Sequence, residues 1–279
     1  MSGRIGARPR SRRSSHRELH LAIAVPAAIA AALLVLPIVA LIARIEWTTL
    51  PAVLVAPETR SALGISLGTA TIATLICLAV GIPLAVVISC TRGLLSAALR
   101  GLVTLPLVLP PLIGGLALLS LLGRGGLLGD LLMSVGIRVP FTTVAVVIAQ
   151  TFVALPFLVI SLEGALRGLD PVFSEAAQNM GAGALTILRH VTLPMIAPSL
   201  IAGTILSFTR ALGEFGATAL FAGNQAGVTR TVPLAIYTAF NGAGVTQDTA
   251  LALSLVLIVT SIVALVIIRP RHADPFAAE

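Results

Sequence analysis

Residues 163–194 read EGALRGLDPVFSEAAQNMGAGALTILRHVTLP, a polar segment between two long apolar runs. It is too polar to lie in lipid, so it must leave the membrane between the runs on either side. Asp170-Pro171 is a helix start, with aspartate as N-cap and proline at the first helical position. Val172 to Met180 then continues as a helix, and Gly181 supplies a C-terminal stop. A second short helix, Ala184 to His190, precedes Pro194. The segment reads as helix, glycine turn and helix lying on one face of a membrane protein.

Outward from that loop the chain is apolar almost throughout. Of 279 residues, 57% are hydrophobic and 10% charged, with a mean hydropathy of +1.05, far from the roughly 25% charged of soluble domains. A span needs about 20 mainly apolar residues. Six runs qualify: Leu21 to Ala43, Ser61 to Ser89, Gly101 to Leu122, Phe141 to Leu162, Met195 to Ala222 and Thr249 to Ile268. These lengths exceed the 9–11 residues of a membrane strand and show no alternation, so the fold class is an all-α membrane bundle of six spans. Gly64-Ile-Ser-Leu-Gly68 is a small-residue motif suited to helix contact within the chain.

All 18 basic residues are arginine. With no lysine the chain cannot form a phosphate-binding Walker loop. Six arginines (4, 8, 10, 12, 13 and 17) crowd the first 17 residues. They read as an orientation signal before a retained first span rather than as a nucleic-acid arm or a cleaved export signal, whose apolar core would be shorter. Placing this tail in the cytoplasm also places Arg92, Arg100, Arg167, Arg189, Arg269 and Arg271 there, and leaves Arg44, Arg60, Arg124, Arg138 and Arg230 outside. Both termini are then cytoplasmic. The domains expected are a basic tail at 1–20, a first transmembrane helix at 21–43 and a core over 60–270 containing the loop 163–194. Cys77, Cys90 and the four histidines have neither metal nor disulfide spacing. A secondary carrier would show repeats with interrupted helices, and an intramembrane enzyme would need a nucleophile with a base; neither pattern is evident.

Arg210 and Glu214 interrupt the fifth run, where a charge costs roughly 2.5–3.5 kcal/mol on insertion scales. Four residues apart on a helix they can pair. The pair either fixes the span within the bundle or lines a pathway for an anion. Pro106, Pro110 and Pro111 punctuate the third run, as an ordinary kink or as a gate.

The loop resembles the cytoplasmic loop of permease subunits in binding-protein-dependent ABC importers. The matching positions are Glu175-Ala176-Ala177, Gly181, Val191 (isoleucine is usual) and Leu193-Pro194. LPLVLPPLIGGLALL (105–119), RALGEFGATALFAGN (210–224) and TRTVPLAIYTAF (229–240) are similar to permeases for molybdate, tungstate and sulfate, the molybdate branch above all, with Thr209 a small departure. The resemblance implies a type I importer without an ATP site or cofactor on this chain. Its partners would be a second permease copy as a homodimer, two cytosolic ATPases carrying ATP and Mg, an extracytoplasmic oxyanion-binding protein and the lipid bilayer. Glu175, Ala176, Ala177, Gly181, Val191, Leu193 and Pro194 would then couple ATPase closure to alternating access, the paired alanines allowing close docking. The implied cargo is molybdate or tungstate, with sulfate or thiosulfate as the alternative.

Overall fold

A computed structural model describes residues 12–241 and 247–268. Arg4, Arg8, Arg10, Arg269, Arg271 and His272 lie outside the described residues. The chain divides into two units, 1–46 and 47–279. The first contains helix α1, Arg12–Ala43. Its stretch Ile23–Ala43 has 21 residues and the apolar character needed to cross a membrane, a length of about 30 Å at 1.5 Å per residue.

The second unit is also helical: α2 (Leu50–Val55), α3 (Pro57–Cys90), α4 (Gly93–Val108), α5 (Pro111–Leu122), α6 (Gly129–Ser134), α7 (Thr143–Arg167) and α8 (Pro171–Asn179) come first. They are followed by α9 (Ala184–Ile187), which runs through a π turn at Leu188–Thr192 into α10 (Leu193–Met195), then α11 (Ala197–Leu212), α12 (Gly216–Phe221), α13 (Val232–Phe240) and α14 (Gln247–Ile268). Among the described residues there is no strand.

Helix α7 is the central post. One side packs on α3 and α11 through Ala154, Leu158 and Leu162 against Ala70, Ala73, Cys77, Ala85, Ala211 and Leu212. Its other side, with Ala145, Val146, Ala149 and Val153, meets Leu118 of α5 and Ala217 and Phe221 of α12. The face of α3 that makes this contact is a row of small buried residues at helical spacing, Ala70, Ala73, Cys77, Gly81 and Ala85, while Ala62 packs with Val232, Ala235 and Leu253 and Ser66 accepts from Val232 N–H. Small side chains let backbones approach, and packing of this kind holds membrane helices together where lipid supplies no hydrophobic force. At Gly81 an added Cβ would already sit 3.0 Å from Leu158. The glycines of the expected contact motif are elsewhere: Gly64 and Gly68 are exposed, and a Cβ on either would meet nothing within 4 Å. The row that begins two positions further on, at Ala70, carries the contact because it, and not the glycine pair, faces α7.

Two of the expected spans are not single helices. The run Gly101–Leu122 is divided into α4 and α5, bent by 115°. Leu109 and Pro110 each precede a proline, which disfavours helical backbone, and both take extended ψ values of 134° and 135°. Pro106 stays inside α4, so the break belongs to Pro110-Pro111. The run Met195–Ala222 also divides. Its helix α11 stops at Leu212, and α12 begins only at Gly216. The α9–α10 segment meets α11 at 77°. Among the described residues, three helices are thus long and apolar enough to cross a membrane, or up to five if each bent pair is one span, and Asp248–Ala264 of α14 is a shorter apolar helix.

Candidate functional site: the 163–194 loop and the broken helices

In the loop, α8 forms as its sequence dictates. The Asp170 carboxylate accepts from the Val172 amide at 3.0 Å with Pro171 at the first position, satisfying one of the donors a helix start leaves open. Gly181 has φ +85°. Ala182 N–H donates to Ala177 O at 3.0 Å and Gly181 N–H to Gln178 O at 2.8 Å, the paired bonds of a Schellman stop. Helix α8 is therefore closed at both ends by its own residues.

Glu175 and Ala176 are exposed, as are Val172 and Met180, whereas Ala177 is only 6% exposed. The two alanines do not form one docking surface: helical geometry turns Ala177 towards the chain itself and leaves Ala176 outside. Val191 and Leu193 are half-buried, Leu193 against the α3–α7 core, and Pro194 is exposed. A cavity of ≈610 Å³ lies between α8, the end of α3 and the α9–α10 segment, lined by Cys90, Leu166, Phe173, Gln178, Leu188 and Thr192 among others.

Arg210 and Glu214 do pair, Nη1 to Oε2 at 2.7 Å. They do so across the end of a helix rather than along one face, since α11 has stopped at Leu212. The second carboxylate oxygen, Oε1, accepts from Ala217 N–H at 2.7 Å, so Glu214 caps α12 as well as neutralising Arg210. Glu214 is 1% exposed and Arg210 28%. An anionic side chain thus stays buried because one oxygen meets a guanidinium and the other a helix start.

The break in α4–α5 lies against this cap. An added Cβ at Gly216 would sit 2.6 Å from Pro111 Cβ, and one at Gly115 would sit 2.7 Å from Ala217 O. The two interrupted helices therefore touch backbone to backbone, which only glycine permits at these positions.

The profile described as "Binding-protein-dependent transport system inner membrane component" matches residues 78–275. The chain belongs to that family. It is 45% identical over 245 residues, 88% of this chain and 90% of the relative, to the "Molybdenum transport system permease protein ModB" of Mycobacterium tuberculosis. It is 36% identical over 208 residues, 74% of this chain and 75% of the relative, to the "Sulfate transport system permease protein CysT" of Salmonella typhimurium. Its fold is similar to a chain in the crystal structure of a bacterial ABC transporter importing alginate, with a TM-score of 0.69, 20% identity, and coverage of 91% of this chain and 93% of that one.

This permease holds a further charged cluster that spacing alone does not reveal. Glu163, with an 11% exposed side chain, accepts on Oε1 from Nε of Arg100, and the same oxygen forms an ion pair with Nε of Arg167 at 3.0 Å. Arg167 also donates to Ser96 Oγ at 3.3 Å and to Ile88 O at 3.4 Å. One carboxylate thereby ties α7 to α4, and Arg167 ties both to the end of α3. Glu163 and Arg167 show an i, i+4 spacing in the sequence, but Arg100 lies 63 residues away and carries no such signal. Deeper in the permease, the Gln150 amide and the Thr218 hydroxyl are buried with no protein partner among the described residues.

Proposed function

We propose that this permease carries molybdate, with tungstate as a close substitute, from an extracytoplasmic binding protein into the cytoplasm by alternating access. The carrying observation is the relationship to the molybdenum permease, which is higher in identity and wider in cover than that to the sulfate permease. Sulfate or thiosulfate is the second reading, since these anions share tetrahedral shape and the sulfate permease is also a relative.

In this reading two copies of the chain form the pathway as a homodimer, and two cytosolic ATPases, holding ATP and Mg, dock beneath them. Six spans cross the membrane: α1, α3, the bent pair α4–α5, α7, the interrupted run α11–α12, and α14. Both termini and the 163–194 loop face the cytoplasm. Glu175, Ala176 and the exposed Val172 and Met180 present α8 to the ATPase, while Ala177, Gly181, Val191, Leu193 and Pro194 hold α8 to the rest of the loop. The cavity under α8 gives it room to rock as a rigid lever. Arg210, partly exposed and charge-balanced, attracts a dianion without trapping it, while Glu214 keeps Arg210 and α12 in place. Pro110-Pro111 sets the gate bend, with Pro106 adjoining it.

Uptake of radiolabelled molybdate by cells lacking and then regaining this chain tests the reading. Restored uptake blocked by excess tungstate but not by sulfate is expected. Strong competition by sulfate would favour the sulfate reading, and no molybdate uptake would end the molybdate one.

A further inference from the structure

We propose that Arg100 and Arg167 form an oxyanion site at the end of the bundle that carries the 163–194 loop, separate from Arg210. It would be occupied by a tetrahedral oxyanion leaving the pathway or by the phosphate of a lipid. The proposal rests on the reading that oxyanions pass through this permease and that this end is cytoplasmic.

Charge is the first argument. Two guanidiniums share one carboxylate oxygen of Glu163, so the cluster keeps a surplus of one positive charge. Geometry is the second. Both arginines meet Glu163 through Nε, the inner nitrogen. Among the described residues, the hydrogen bonds of Arg100 use neither terminal nitrogen, and those of Arg167 use only Nη2. Three terminal nitrogens therefore stay available, and paired N–H groups on a planar guanidinium match the oxygens of a tetrahedral anion.

Space is the third argument. The two arginines, with Thr104, Ile160, Glu163 and Gly164, line a cavity of ≈390 Å³, within the size range of small-molecule sites. Gly164 leaves its floor open, since a Cβ there would meet nothing within 4 Å. Both arginine side chains are about two-fifths exposed, at 41% and 42%, so water competes for them. The Glu163 carboxylate further weakens their hold. A site at an exit needs that weakness, because a tightly held anion would not be released.

The test is equilibrium binding to the full-length permease in nanodiscs, independent of transport, so a failure of the molybdate reading in uptake leaves it intact. Radiolabelled molybdate and sulfate are each titrated in discs of phosphatidylcholine. Saturable binding is expected, weakened at least tenfold by Arg100→Gln with Arg167→Gln and unchanged by Arg124→Gln. Glu163→Gln keeps the side-chain shape and removes the competing charge, so it should tighten binding severalfold; it also guards against an arginine variant that fails to fold. If neither free anion binds, but native mass spectrometry of discs containing phosphatidylglycerol shows a lipid retained by the parent chain and lost by the double variant, the site stands with a lipid phosphate as occupant. No bound anion from either source, or Glu163→Gln weakening binding as the arginine changes do, would overturn the proposal by reducing the cluster to a structural clamp.

Discussion

The α3–α7 pair and the α5–α12 pair solve the same packing problem in opposite ways. Helices α3 and α7 run unbroken for 34 and 25 residues and meet through a continuous row of small side chains, with Pro83 and Pro156 absorbed inside them. Helices α5 and α12 are fragments of 12 and 6 residues, each preceded by a break, and meet backbone to backbone at two glycines. A long helix closes its own backbone hydrogen bonds, so it needs nothing from its neighbours beyond fit. A fragment leaves open amides at its start, and here a buried glutamate supplies the partner for α12. The comparison teaches that the long helices close their own backbone bonds and need only fit, while the interrupted half relies on a buried carboxylate as well as on apolar packing.

The sharpest break of that contrast is Glu214→Ala. It removes the partner of Arg210 and the cap of Ala217 together, and loss of one member of a buried pair costs roughly 3–5 kcal/mol. The expected result is a large fall in thermal stability of the purified chain and loss of molybdate uptake; normal expression with normal uptake would deny both roles. Next comes Gly115→Val, which forces carbon into the Ala217 carbonyl. Overpacking of this kind costs about 1–3 kcal/mol, measurable as a lower unfolding midpoint.

A smaller loss is expected at the loop. Gly181→Ala places a side chain in left-handed backbone, at a cost of roughly 1–2 kcal/mol, which should fray α8 in hydrogen exchange while the α3–α7 core keeps its protection. Glu175→Ala, on an exposed face, should leave stability within about 0.5 kcal/mol but cut ATP hydrolysis stimulated by the binding protein. Unchanged stimulation would remove Glu175 from the coupling surface. At the other end of the scale, Gly64→Ala and Gly68→Ala meet open space and replace glycine inside a helix, so each should stabilise the chain by about 0.5–1 kcal/mol.

What could be read from the sequence was what local chemistry decides. Asp170-Pro171 and Gly181 set the ends of α8 with residues next to one another, and both ends are where those residues put them. Pro110-Pro111 announced a bend, although its 115° depends on α5 folding back against α12. Arg210 and Glu214 were visible as a pair, but their spacing suggested one continuous helix. The break between them depends on Glu214 finding the Ala217 amide, a bond that i, i+4 spacing does not encode. The inward turn of Ala177 was hidden because two adjacent alanines are alike until neighbours distinguish their faces. Glu163 with Arg100 was hidden for the same reason at longer range, since it needs α4 beside α7.

The proposed alternating access requires the bend at Pro110-Pro111 to shift α5 against the α3–α7 core during the ATP cycle. Spin-label distances test it directly, in a transporter assembled from one labelled and one unlabelled permease copy in nanodiscs. Labels at Val80 of α3 and Ile160 of α7 report the core, and labels at Val80 and Leu116 of α5 report the interrupted half; all three positions are exposed. On adding ATP the Val80–Ile160 distance should stay fixed while the Val80–Leu116 distance shifts. A fixed Val80–Leu116 distance, or a core distance that changes as much, would contradict the account.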